Sequence, residues 1–403
     1  MRHGGNLRWL NFSRELLLRG HRVYFSINRH PHDALAAQRR YLEELRQQHF
    51  LSGVLELDYS LPPTLSKLAH ALVLPSLTNR CLRRHQTPVL STIRAFIAHR
   101  YVDAILLSAR PLLFTVPALS GELPVVIDWV DSFVLYNRRH LVRALTGGAL
   151  RSLPAICRDL LAHSFQERYY TRQARASLAV SPVDRACIAG VSGVSDRVHA
   201  LLNGTDARTA AAPPPKIANR LIFTGNMSFA PNHEAALWFI DHVLPRVLAR
   251  RPDVRFVVAG RNPRPELAAR ASGNVEILGA VDDLGHEIAR SALYVAPLIS
   301  GGGFKNKVVE ALSSGTYVVG TPMAVEFLPD SVKSSLLVGD EPEALAGQIL
   351  RFFESPDAFA PELTRLRAML QEDFTWARRT DQLLGILCGL RDRHPGELRA
   401  ACH

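Results

Sequence analysis

The chain has 403 residues, 47% hydrophobic and 21% charged, which is enough for two ordinary globular domains. Five cysteines, odd in number, scattered and without CxxC pairing, argue against a disulfide framework or a zinc site and suit a reducing compartment. No window of about 18 apolar residues is present, so neither a spanning helix nor a signal-peptide core is expected. The net charge of +11 is one-sided: residues 1–206 carry 26 basic and 15 acidic side chains, and residues 207–403 carry 22 of each. That asymmetry predicts an anionic partner, a membrane surface or a phosphorylated acceptor, unless it reflects an arginine-favouring composition. No nucleic-acid recognition motif accompanies it, so nucleic acid is not an expected partner.

The chain opens on a helix. Met1-Arg2-His3-Gly4-Gly5-Asn6 leads straight into apolar periodicity, with no strand before it. A doubly wound domain begins on a central strand, so either this fold lacks it or, the favoured expectation, the true start lies upstream of Met1. Gly20–Ile27, Ala104–Ser108, Val125–Asp128 and Leu178–Ser181 read as strands. Residues 61–100 read as helical, with Lys67, Arg80, Arg83, Arg84 and His85 beside Leu68, Leu72, Leu74, Leu77 and Leu82. This is either a basic amphipathic surface for a membrane or a helix pair with a solvated basic side. In Asp128-Trp129-Val130-Asp131-Ser132, an aspartate at a strand's C-terminal end can orient or deprotonate a hydroxyl. Asp131 or Ser132 reads equally as a helix N-cap. Asn203-Gly204-Thr205-Asp206 and the run Pro213-Pro214-Pro215 mark a linker at 207–218.

The second half alternates strand and helix. Arg220–Thr224, Val254–Ala259, Val275–Leu278, Leu293–Pro297 and Tyr317–Thr321 are short apolar runs, Ala235–Ala249 is an amphipathic helix, and Lys305–Ser313 is a second helix closed by Gly315. Continuous apolar strands between helices predict an α/β fold with a parallel sheet covered on both faces.

Gly301-Gly302-Gly303-Phe304-Lys305-Asn306-Lys307-Val308-Val309-Glu310 carries the most specific chemistry. The chain has 43 Arg and only 5 Lys, yet two of those lysines fall within three residues here. A glycine loop opening a helix offers backbone N–H groups and the positive end of the dipole to an anion, and Lys305 and Lys307 add compact charges. Glu310, one turn after Lys307, suits sugar hydroxyls rather than phosphate, so the pair suggests a nucleotide. The spacing fits neither a Walker A loop nor GxGxxG.

These motifs, in this order, resemble the GT-B glycosyltransferases of family 4, the glycosyl transferases group 1. Phe223-Thr224-Gly225-Asn226-Met227 with Pro231-Asn232 and Trp238-Phe239 resembles that family's first C-domain strand, glycine turn and helix. Val257 to Pro263 resembles its second strand and turn, and Leu278 to Asp283 its base-cupping segment. Pro297-Leu298 through Leu312, then Gly315, Val318-Val319 and Thr321, resemble the nucleotide-sugar signature. The resemblance implies two Rossmann-like domains facing a cleft: 1–206 on the acceptor side, its first strand missing, a linker at 207–218, a donor domain at 219–375, and a helix at 376–403 returning toward the first domain. It implies Lys307, supported by Lys305, on the donor diphosphate, with Glu310 on the ribose. It implies Gly225, Asn226, Arg261, Val281, Gly302, Gly303 and Phe304 around the donor. Gly4 and Gly5 fall on the acceptor side, and Asp128 and Asp131 stand where many members place a catalytic-site histidine.

The implied activity is retaining, metal-independent transfer from a UDP- or GDP-sugar, used as substrate with no cofactor, to a glycan or lipid-linked acceptor. The setting is cytoplasmic, on the inner face of a membrane. Two positions depart from the family pattern. Gly302 stands where a first glutamate is usual, and Asn226 stands where an arginine is usual, with no lysine nearby. A sugar-nucleotide epimerase and a non-catalytic partner subunit are the alternatives.

Overall fold

The computed structural model describes residues 4–28, 43–48, 50–59, 74–108, 110–147, 150–205 and 214–392. The upstream start, Lys67, Leu68, Leu72 and most of the 207–218 linker lie outside these. The chain forms two compact units, Met1–Gly204 with Trp376–His403, and Thr205–Thr375. Both are α/β with parallel sheets, as expected.

In the first unit, helix α1 (Gly4–Leu18) precedes a two-stranded parallel sheet of β1 (Tyr24–Asn28) and β2 (Gly53–Leu57). Helices α2 (Pro75–Cys81) and α3 (Arg83–Arg100) follow. The expected helix over 61–100 thus breaks within its described part, where Leu82 caps both pieces. A second parallel sheet has the order β3 (Ile105–Leu107), β4 (Val125–Val130), β5 (Ala176–Ala179), β6 (Val198–Ala200), with α4 (Phe133–Thr146), α5 (Leu153–Gln173) and α6 (Pro182–Ser192) between. β4 reads Val-Val-Ile-Asp-Trp-Val because a strand paired on both sides and covered on both faces meets little water. On one face Val125 and Ile127 pack with Val116 and Leu119; on the other Val126 and Leu178 pack with Phe12, Leu16, Trp376 and Leu383. Cys81, Cys157 and Cys187 are free, whereas Cys388 is disulfide-bonded, a bond the scattered spacing did not suggest.

The second unit holds one six-stranded parallel sheet, ordered β12 (Leu337–Val338), β11 (Tyr317–Gly320), β10 (Ser291–Ala296), β7 (Ile217–Thr224), β8 (Arg255–Ala259), β9 (Val275–Gly279). The chain starts in the middle at β7, builds outward through β8 and β9, then restarts on the other side at β10. The switch point lies between β7 and β10, where the loops at the strands' C-terminal ends splay apart. The expected helix Ala235–Ala249 is three pieces: α7 (Ala230–Trp238), a π turn at Phe239–Val243 and a short helix Leu244–Leu248. Pro231 lets α7 begin early, and Pro245, lacking an N–H, accounts for the widened turn before it. Helix α8 (Asn306–Ser313) follows the glycine loop.

Candidate active site

The switch point of the second unit gathers the glycine-turn and signature motifs. β7 leads straight into Gly225 and β8 into Gly260, and the two backbones touch. A Cβ on Gly260 would lie 1.8 Å from the Gly225 carbonyl oxygen, and one on Gly225 would lie 2.6 Å from Asn232 Nδ2 and 3.1 Å from Lys307 Nζ. Only glycine permits this approach. Asn232, in the first turn of α7, accepts a hydrogen bond of 2.5 Å from the Lys307 ammonium and donates to the Asn226 carbonyl at 3.0 Å. The ammonium also stands 4.5 Å from the centre of the Phe223 ring.

Lys307 is therefore a cation held in place before any ligand arrives. Burial lowers its pKa to about 7; Glu310 opposes the shift and Lys305 adds to it. Glu310, on α8, is exposed; desolvation by its surroundings raises its carboxyl pKa, and the Lys307 charge pulls it back.

Lys305 is placed differently. It is buried, and its ammonium donates to the carbonyls of Gly302 at 2.6 Å and Gly303 at 2.7 Å, so it braces the loop from within. The loop turns through left-handed backbone at Gly301 (φ 106°) and Gly303 (φ 70°). Gly301 packs against Pro231, and Phe304 against Phe327 at 4.3 Å between ring centres. At Gly302 a Cβ would meet nothing within 4 Å, so the position where the family places a glutamate opens onto free space. Asn226 turns its Oδ1 back to Ser228 N and Oγ. Arg261 is exposed in the turn after β8, and Val281 is half-buried in the turn after β9. Asp283 caps the next helix by accepting from His286 N at 2.9 Å.

In the first unit Gly4 and Gly5 open α1. Asp128 is 3% exposed and faces Arg8, which is 1% exposed. Arg8 Nε donates to Asp128 Oδ2 at 2.9 Å and Arg8 Nη1 to Asn203 Oδ1 at 2.7 Å, with Phe12 beneath the guanidinium. Asp128 is thus occupied as the partner of a buried cation. Asp131 is half-buried three residues on, beyond a bulge where Val130 adopts φ 60°. A β-branched residue there is strained and must be held by its surroundings. Ser132 caps α4 by accepting from Leu135 N, and its own N–H donates to Asp184 at 2.9 Å.

Glu167, which sequence reasoning did not single out, completes this hold from α5. It is 1% exposed and accepts from Ser132 Oγ, Phe133 N and Val134 N at 2.7–3.1 Å. Burial raises its pKa to about 7, and the hydrogen bonds and the Arg110 charge oppose the rise. Arg110 lies over the Phe133 ring, and burial lowers its pKa to about 10. Asn232 was likewise seen only as part of a motif; its place just after a glycine turn, at the head of a helix, was the available signal.

Comparison with known proteins fits this geometry. Residues 218–355 match the family described as Glycosyl transferases group 1. A phosphatidyl-myo-inositol mannosyltransferase of Mycolicibacterium smegmatis is 28% identical over 231 residues, 54% of this chain and 58% of that protein. The gpi3 subunit of a phosphatidylinositol N-acetylglucosaminyltransferase of Schizosaccharomyces pombe is 31% identical over 27% of this chain and 22% of its own. The chain spans about half the length of the mycobacterial relatives it matches. Among solved structures, a glycosyltransferase from Rickettsia africae superposes with a TM-score of 0.66 at 13% identity, over 97% of this chain and 96% of its own. Anabaena Alr3699/HepE in complex with UDP and glucose gives 0.61 at 14% identity, over 96% of each chain. Residues 218–355 are thus a domain of the glycosyl transferases group 1 family, carried in a chain with the GT-B fold.

Proposed function

We propose that this protein transfers a sugar, with retention, from a UDP- or GDP-sugar to a glycan or lipid-linked acceptor. The observation that carries the reading is Lys307 at the β7–β10 switch point, its ammonium held by Asn232 beside the close-packed backbone of Gly225 and Gly260. The departing diphosphate gathers negative charge as the sugar bond breaks. Lys307 and the positive end of the α8 dipole neutralise that charge in place, so no metal is required in this scheme. Glu310 accepts from the ribose hydroxyls, while Arg261 and Val281 flank the donor. In the first unit Asp131 orients the acceptor hydroxyl, and Asp128 with Arg8 holds the strand end that carries it.

A lipid-linked acceptor draws support from the phosphatidylinositol-directed names of the relatives and from the surface of α2–α3. There Leu74 and Leu77, 45% and 42% exposed, lie beside exposed Arg80, Arg83 and Arg84, as on an anionic membrane face in the cytoplasm. A thermal-shift screen against UDP- and GDP-sugars tests the donor side. A true donor at about 100 times its Kd adds roughly 2.7 kcal/mol of stability. The absence of any shift at millimolar donor would overturn the assignment. Product anomer analysis by NMR reads retention directly, and undiminished turnover in EDTA is expected.

A further inference from the structure

We infer that Glu234, near the head of α7, is a positioning residue for the donor: through Ser300 it fixes the start of the glycine loop, as Asn232 fixes Lys307 beyond the loop's end. This rests on the donor reading of Lys307 and deepens it, by naming a residue that sets donor affinity through its hold on the loop. Four consecutive residues at the head of α7 touch four different parts of the site. A Cβ added to Gly301 would lie 3.5 Å from the Pro231 ring. Asn232 accepts from Lys307 Nζ and donates to the Asn226 carbonyl. His233, 4% exposed, meets Glu266 of the short helix Pro265–Ala268, Nε2 to Oε2 at 3.2 Å. Glu234 Oε2 accepts from the Ser300 hydroxyl at 2.8 Å.

Helix geometry explains this division of contacts. Pro231 and Glu234, three apart, share one side of α7, while Asn232, two before Glu234, is turned away from it. The loop therefore straddles the head of the helix. Ser300 and Gly301 rest on one side, and Lys307, in the first turn of α8, reaches the other. The loop needs such a hold. It passes through left-handed backbone at Gly301 and Gly303, and Gly302 between them stands in open space. Glycine loses more conformational freedom on ordering than any other residue, and three stand here in a row. The Lys305 ammonium braces the carbonyls of Gly302 and Gly303, which secures the half of the loop nearer α8. The Ser300–Glu234 bond secures the half nearer β10. Without that bond the start of the loop must be ordered when the donor arrives, and affinity falls by the cost of ordering it.

The test uses the full chain carrying Glu234→Ala, Glu234→Gln, Ser300→Ala or the two alanines together. Donor affinity is measured by calorimetric titration with the tightest binder of a panel of UDP- and GDP-sugars. Loop opening is measured without ligand, as the rate of chymotrypsin cleavage after Phe304, with cleavage after the exposed Tyr101 as reference. Glu234→Ala should weaken donor binding roughly 10-fold, the worth of one hydrogen bond to a charged group, and should speed the Phe304 cut by about as much while the reference holds. Glu234→Gln keeps an acceptor oxygen for Ser300 and should stay within about threefold of wild type in both readouts. Ser300→Ala should match Glu234→Ala, and the double variant should lose no more than either, because both remove the same bond. The inference fails if Glu234→Ala binds the donor within about threefold of wild type, whatever its melting temperature, since Glu234 then serves the fold alone. It also fails if the two single losses add, or if Glu234→Gln loses as much as Glu234→Ala, because the tie to Ser300 is then not what matters. If wild type binds no member of the panel, the donor reading falls and the effect on affinity with it, while the ligand-free cleavage rate still decides whether Glu234 holds the loop.

Discussion

Replacing Lys307 with methionine removes the ammonium while keeping an unbranched side chain over Phe223. In the wild-type protein at pH 6 the group is charged, since burial sets its pKa at about 7. A charge-assisted hydrogen bond to phosphate contributes about 1.5–3 kcal/mol, and a second charge at about 4 Å contributes up to about 4 kcal/mol at an effective dielectric constant of 20. A net loss of about 2–4 kcal/mol weakens donor binding roughly 30- to 700-fold. At pH 8.5 the free wild-type lysine is neutral and must take up a proton to bind. Over about 1.5 pH units that costs about 2 kcal/mol, so wild-type affinity itself falls about 30-fold and the gap to the variant narrows. Calorimetric titration with the intact nucleotide sugar, whose diphosphate does not titrate in this window, measures both effects. The melting temperature should hold or rise, because the folded state no longer keeps an ammonium away from water. A variant that folds normally and binds the donor within threefold of wild type at pH 6 would refute this role for Lys307.

The first unit gives two further expectations. Asp128→Ala strands the Arg8 charge in the interior and should cost about 3–5 kcal/mol, lowering Tm by roughly 6–20 °C; an unchanged melt with lost activity would instead make Asp128 a direct participant. Glu167 is protonated in the fold below about pH 7 but ionises near 4.5 when unfolded. The folded state therefore binds the extra proton between those values, and stability falls as pH rises through them, by at most about 3 kcal/mol. Glu167→Gln, which keeps the acceptor oxygen, should flatten that slope in pH-dependent denaturation, and an unaltered slope would remove Glu167 as its source. In the second unit Gly302→Glu meets open space and should melt within about 1 °C of wild type while changing donor-sugar affinity; a large loss of stability would contradict the free volume at that position.

The fold was legible where burial and period coincided. Val254–Ala259 and Tyr317–Thr321 matched β8 and β11 nearly residue for residue, because strands covered on both faces read as unbroken apolar runs. β2, reading Gly-Val-Leu-Glu-Leu, was missed because Glu56 interrupts the run, and β6 and β12 are too short to carry a period. The helix over 235–249 was placed but not its widened turn, which depends on how Pro245 resolves its clash with the preceding turn. At the site, residue types announced the Lys307 loop. The partners that set the ammonium, Asn232 and Phe223, and the inward turn of Lys305 depend on distances that sequence spacing does not encode. Glu167 is the clearest case: a glutamate in mid-helix looks like surface until the strained end of β4 arrives beside it.

The contact between the ends of β7 and β8 has a consequence for how this protein can diversify. Where Gly225 and Gly260 meet, the floor of the site is peptide alone, and no side chain fits between. A surface made of main chain has nothing for point substitution to tune. Any change of preference among substrates must then be written on the rim, at positions such as Gly302, Arg261 and Val281, where there is space or exposure. The floor sets what kind of group is held, and the rim is left free to vary which one.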